Sequence, residues 1–172
     1  HDTLAAVGGL VGDPGRSSRR RGCYNNKIME SRDELRAARR KKLEALRARG
    51  VQPYGGKFPK LTSIRQLVDQ FQERQTVITA GRLRAIRAHG GMTFADLRDA
   101  SGKVQVCFRQ EHLGDTTYHL LELLDLGDWL GVEGTFFKTR TGEVTIKVDR
   151  FTVLSKSLEP LPEKWHGLKD VE

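Results

Sequence analysis

The chain is poor in cysteine. Cys23 and Cys107 stand 84 positions apart, one in a polar arm and one in an apolar strand pattern. They make no disulfide framework and no CxxC pair for zinc, and a reducing compartment, the cytoplasm, is the simpler setting. Long apolar runs are missing too. The longest uncharged one, Leu4–Gly12, has nine residues, far short of a bilayer span, so no membrane partner is expected. No basic region precedes it, so as written it is not a signal peptide. The chain opens on His1 rather than Met, as a processed or shortened start does. The histidines (His1, His89, His112, His119, His166) show no ligand spacing, and no metal site is expected. A Walker-type loop is absent, since Gly102-Lys103 runs into Val104 without the upstream glycine. No Ser/His/Asp or Cys/His set stands out by spacing. Asp96 and Asp99 read as strand-end and turn residues rather than paired acids. No catalytic residue is therefore expected.

What is present is positive charge, unevenly placed. The 172 residues carry 30 Lys or Arg against 22 Asp or Glu, a formal net charge of +8. Residues 1–50 hold 13 of the bases and 6 of the acids, so nearly all the excess lies there. A basic arm on a near-neutral body points to a polyanion partner, with sequence-blind attraction to phosphates. A solubilising tail is the plainer alternative.

Residues 1–30, with Gly, Ser and the run Arg19-Arg20-Arg21, have no apolar period and are expected to be a disordered basic arm. Ser31-Arg32-Asp33-Glu34 is a capping box and predicts a helix from there to about Arg49, stopped by Gly50 and Pro53. Its apolar stripe, Leu35, Ala38, Leu43 and Leu46, is thin. Its basic flank, including Arg36, Arg39, Arg40, Lys41, Lys42 and Arg47, is expected in water, and Arg36, Arg39, Arg40 and Arg47 are expected to face an RNA backbone. After the loop Gln52–Leu61, Thr62 caps a second helix to about Glu73, and residues 31–75 form one N-terminal unit of helices and entry loop.

From Thr76 the apolar period becomes two. Strands are predicted at Thr76–Arg87, bent at Gly81, then Met92–Arg98 and Val104–Arg109. A helix follows at Leu113–Leu126, then strands at Leu130–Thr139 and Glu143–Val153. Five strands with one helix between the third and fourth is the layout of an OB-fold, a small Greek-key barrel, here over 76–154 in a mainly β (α+β) chain. Val104, Val106 and Phe108 should be core, as should Thr93, Ala95 and Leu97. Gln105 and Phe94 then face outward, an aromatic plate for a base beside an amide to read its edge. Arg87 ends the first strand near the same base. A register slipped by one would instead put Phe94 in the core.

These residues resemble a known family. Ala80-Gly81-Arg82-Leu83, Ile86-Arg87-Ala88-His89-Gly90, Phe94-Ala95-Asp96-Leu97-Arg98-Asp99 and Gly102-Lys103-Val104-Gln105 are similar to the anticodon-binding OB domain of class II aminoacyl-tRNA synthetases of the aspartyl, asparaginyl and lysyl group. The run from Leu154 through Pro160-Leu161-Pro162 to Asp170 resembles the connector that precedes the lysyl catalytic domain. Lys42-Leu43, Leu46-Arg47, Gly50 and Pro53-Tyr54 resemble the lysyl entry helix and loop. Departures are Gly55, where the family usually has a second proline, and Cys107, where an aromatic is more usual.

The resemblance implies that Phe94 stacks on the middle anticodon base, Gln105 bonds its pairing edge and Arg87 contacts the same nucleotide. It places Arg140, Thr141 and Glu143 near another anticodon base. It implies tRNA(Lys), with a U-rich anticodon, as partner. ATP and Mg belong to the full-length enzyme, a homodimer, and residues 155–172 lead toward its catalytic domain. This chain alone, without cofactor, is expected not to aminoacylate. Two other classes stay open on the residues. One is a free-standing OB-fold binder of single strands, which has no use for Pro160–Asp170. The other is a protein-interaction module, which predicts Phe94 in the core and no salt-sensitive RNA binding.

Overall fold

The structure is a computed structural model that describes residues 19–54, 58–59 and 62–159, with side chains from Arg32 onward. Residues 1–18 of the expected arm and 160–172 of the expected connector lie outside it. The elements run α1 (Arg19–Ala48), α2 (Ile64–Asp69), β1 (Thr76–His89), β2 (Met92–Arg98), β3 (Lys103–Arg109), α3 (Gln110–Leu113), α4 (Asp115–Tyr118), a 3₁₀ turn (His119–Leu123), β4 (Trp129–Lys138) and β5 (Val144–Ser155). The strands close into a barrel in the order β1-β2-β3-β5-β4, with β1 paired to β4. All pairs are antiparallel except β3 with β5. This is the five-stranded OB topology that the strand count predicts.

Alternation puts one apolar set inside. Leu83, Leu97, Val106, Phe108, Leu130, Val132, Ile146 and Val148 have no exposure. Ile64 and Leu67 of α2, Leu121 of the 3₁₀ turn and Leu124 just after it join that core. At roughly 1.5–3 kcal/mol per buried side chain, this face supplies most of the stabilisation. The outer face of β2 and β3 is therefore free for other work.

Three elements differ from the sequence reading. First, α1 starts at Arg19, so residues 19–30 are helical rather than disordered, and Ser31 lies inside the helix. Arg, Lys, Met and Glu are good helix formers, and extending a helix costs far less than starting one. Its end is as expected: Val51 N–H bonds Leu46 C=O at 3.0 Å and Gly50 N–H bonds Arg47 C=O at 2.9 Å, the double bond of a Schellman cap. Only Leu43 and Leu46 of its stripe are buried, and Leu35 is exposed. Second, α2 is shorter than expected, and its cap is Ser63, whose Oγ accepts from Gln66 N–H at 3.4 Å. Third, Leu113–Leu126 is not one helix. Gly114 at φ +74° separates α3 from α4, and a 3₁₀ turn follows. A residue at that φ cannot continue a right-handed helix.

A β-bulge decides the site. Leu83 pairs with Leu97, and the next registered pair is Ala85 with Asp96, so Arg84 is the extra residue. The insertion reverses the in-out alternation of β1 from that point. It turns Arg87, paired with Phe94, to the outer face. The expected bend at Gly81 is not where the register shifts. There a Cβ would lie 3.0 Å from the Cβ of Leu97 and from the backbone N of Arg98. Glycine at that point lets β1 press against β2.

Candidate nucleic-acid interface

The outer face is built in cross-strand rows. One row is Arg87, Phe94, Cys107 and Lys147, across β1, β2, β3 and β5. The next is Ala85, Asp96, Gln105 and Thr145. Behind them Thr93, Ala95, Leu97, Val104, Val106 and Phe108 are buried. Phe94 is half-buried on the outer side, so it is not core. Gln105 sits on the diagonal from Phe94, about 7 Å away at the backbone, within reach of one base.

The polar groups on this face are tied to one another. Arg87 donates to Asp96 Oδ1 at 2.8 Å. That bond raises the Arg87 guanidinium above its usual value against a smaller opposing effect of burial, and the charges of Asp96 and Glu143 add to it. Gln105 Nε2 donates to Glu143 Oε2 at 2.9 Å, and Thr145 Oγ1 donates to Gln105 Oε1 at 2.9 Å. A cleft of about 210 Å³ opens beside them, lined by Asp96, Lys103, Gln105 and Glu143. A wider one of about 590 Å³ lies at the other end of the face, lined by His89, Met92, Arg109 and Gln110. Burial pushes the Cys107 thiol up, against a smaller effect of Arg109. That thiol is inert packing rather than a nucleophile.

So Arg87, Phe94, Gln105 and Glu143 come together. Arg140 and Thr141 sit exposed on the turn joining β4 to β5, closed by Gly142 N–H on Thr139 C=O at 2.8 Å. Thr141 Oγ1 bonds Thr139 Oγ1, not Gln105. Sequence reasoning missed Thr145 and Lys147. Their place rests on the parallel pairing of β3 with β5, which leaves no local signal.

A family model described as an OB-fold nucleic acid binding domain, of the tRNA anticodon type, matches residues 77–154. The barrel is an anticodon-type OB domain. The chain is 46% identical over 145 residues to the lysine–tRNA ligase of Pelotomaculum thermopropionicum, covering 83% of this chain and 29% of that protein. It is 49% identical over 142 residues to that of Carboxydothermus hydrogenoformans, covering 81% and 29%. It is 47% identical over 147 residues to that of Moorella thermoacetica, covering 84% and 30%. The chain thus spans under a third of the length of these relatives.

Around the anticodon-type barrel, the four arginines expected to face RNA divide into two kinds. Arg36 Nε pairs with Glu159 at 2.6 Å. Arg39 donates to the carbonyls of Ser157 at 2.9 Å, Glu159 at 3.0 Å and Leu126 at 3.3 Å. These two grip the segment after β5. Arg40 and Arg47 are exposed and bond no side chain among the described residues. The same grip includes Lys156, which is buried with Asp128 at 2.8 Å and also bonds Asp125. Lys42 meets Asp125 at 2.8 Å. No group of His, Cys, Asp and Glu among the described residues could hold a metal. No described helix is long and apolar enough to cross a membrane.

Proposed function

We propose that this chain is the tRNA-reading part of a lysyl-tRNA synthetase and reads the middle base of the lysine anticodon, a uracil. Phe94 is the plate on which that base stacks. Gln105 bonds its pairing edge, with Oε1 accepting from the base N3–H and Nε2 donating to a base carbonyl. Arg87, pinned by Asp96, supplies positive charge beside the nucleotide. Arg140 and Thr141 stand on the turn nearest a neighbouring base. Arg40, Arg47 and the rest of the basic N-terminal region supply attraction to phosphates without selectivity. Lysine activation with ATP and Mg, and the homodimer, belong to the whole enzyme, which works in the cytoplasm.

The observation that carries this reading is the outward projection of Phe94 and Gln105 from adjacent strands over a core already filled. A plain barrel has no use for an aromatic ring there. The test is binding of the chain to an anticodon stem-loop with UUU, and with C replacing the middle U. Base–aromatic stacking is worth about 1–3 kcal/mol, so Phe94→Ala should cost around tenfold or more in affinity. Gln105→Ala should cost less affinity and narrow the gap between U and C. Neither should lower the melting temperature much. A large thermal loss in Phe94→Ala, with Gln105→Ala leaving base preference untouched, would refute the reading.

A further inference from the structure

An amide side chain has two ends of nearly the same shape and opposite hydrogen-bonding sense. Which end meets a base decides which base is accepted. Uracil offers a donor at N3 beside a carbonyl, and cytosine offers an acceptor at N3 beside an amino group. An amide turned one way fits uracil, and the same amide turned over fits cytosine. A site that selects with Gln105 therefore needs something that forbids the turn.

Two groups touch the Gln105 amide. Thr145 Oγ1 lies 2.9 Å from Oε1, but its hydroxyl also lies 3.1 Å from the Glu143 carbonyl. A hydroxyl has one proton and can also accept. Thr145 therefore tolerates either amide sense. Glu143 does not. Its Oε2 lies 2.9 Å from Gln105 Nε2, and a carboxylate only accepts. Turning the amide would set the carbonyl oxygen against the carboxylate. Glu143 begins the β5 side of the turn, and Thr145 pairs in register with Gln105 across the parallel β3–β5 seam. Barrel closure thus brings the arbiter to the reader.

We infer that Glu143 is a positioning residue that holds the Gln105 amide in the one sense that accepts uracil and rejects cytosine. This rests on the proposed role of Gln105, and it gives Glu143 a different task from contact with a neighbouring base. The carboxylate is exposed, and an exposed polar pair adds little to stability. Its effect is therefore on selection rather than on folding.

The test uses the full chain, with stem-loops carrying U or C at the middle position and a third pair changed at the first anticodon position. Glu143→Gln is the informative variant, because an amide at 143 accepts or donates and frees Gln105 to turn over. A well-made bidentate pair discriminates by roughly 1–3 kcal/mol. Glu143→Gln should therefore cut the U-to-C affinity ratio fivefold or more, chiefly by improved binding of C, with the melting temperature unchanged. In a Gln105→Ala background, Glu143→Gln should not move that ratio further. If Gln105→Ala collapses the ratio while Glu143→Gln keeps it within about twofold, the positioning role is refuted and the reading of Gln105 survives. If Gln105→Ala itself leaves the ratio intact, the reading of Gln105 fails first. Loss of preference confined to the first anticodon position would also overturn the inference, since Glu143 would then be touching RNA itself.

Discussion

Replacing Lys156 by Met tests how the helix, the barrel and the segment after β5 are held together. Lys156 and Asp128 side chains are fully buried, 2.8 Å apart. Met keeps most of the apolar stem, so the substitution removes charge more than packing. Breaking a buried pair by removing one partner costs about 3–5 kcal/mol, because the other charge is stranded. Here the lower end applies. Asp128 retains two backbone donors, Ser157 N–H at 2.8 Å and Asp125 N–H at 2.8 Å. Asp125 retains Lys42 and is partly open to water. A loss of about 3 kcal/mol corresponds to roughly 10 °C in melting temperature for a chain of this size. Thermal unfolding followed by circular dichroism measures it, with the urea midpoint as a second reading. A melting temperature within about 2 °C of the parent would refute the account.

Two more outcomes follow from the same geometry. Burial would raise the Asp125 carboxyl, but Lys156 and Lys42 outweigh it and hold it below the ordinary range. Asp99 is likewise held low: burial opposes, and the N–H of Ile64 with the donors of Ser101 and Gly102 prevail. Carboxyls depressed in the folded state contribute stability that is complete above their unfolded value, about 4, and lost as pH falls through the lowered values. The urea midpoint should hold level from neutral pH to about 5 and fall below about 4, less steeply in Asp125→Asn; a rise on acidification contradicts this. Separately, Arg40→Ala with Arg47→Ala should weaken binding to all RNAs alike. It should also flatten log affinity against log salt by roughly 0.7 per lost phosphate contact. Arg36→Ala should leave that slope unchanged, because its guanidinium is engaged by Glu159. Equal slope changes in both variants would show that the division of the arginines is wrong.

Legibility in the sequence followed the range of the interaction. The inner faces of β2 and β3 were readable because Thr93, Ala95, Leu97 and Val104, Val106, Phe108 alternate with nothing to interrupt them. That alone placed Phe94 and Gln105 outward. The bulge at Arg84 was not readable: Arg84 carries no special side chain, and the shift exists only relative to β2. Ser31-Arg32-Asp33-Glu34 matches a capping box, yet nothing before it stops a helix strongly enough, so the local signal lost to propagation. The leucines of 113–126 have helical spacing, but Gly114 breaks the run. The pairing of Gln105 with Thr145 and Glu143 spans about forty positions and is written nowhere locally. The partners that Arg36 and Arg39 find beyond their own helix lie 87 or more positions away, so a flank that reads as solvated is half occupied by the chain itself.

That occupation has a consequence for how binding and reading fit together. Docked by Leu43 and Leu46 alone, α1 would be held by two side chains, about 3–6 kcal/mol before its ordering entropy is counted. Such a contact resists separation but not rotation, since apolar packing has no direction. The contacts of Arg39 with three carbonyls, and of Lys42 and Lys156 with Asp125, have direction. They fix which side of the helix faces the barrel. Ion pairs taken out of water add little net energy but do select a geometry, as Lys42 and Lys156 do on Asp125, and the bonds of Arg39 to carbonyls are directional too. With the exposed Arg36–Glu159 pair they engage Arg36, Arg39 and Lys42 and leave Arg40 and Arg47 in water. The non-selective charges then stand at a set position relative to Phe94 and Gln105, rather than on a helix free to turn. Under the proposed reading, phosphate contacts on α1 constrain where a bound RNA lies across the outer face. The Gln105 amide, with its sense set by Glu143, is left to decide on the base alone.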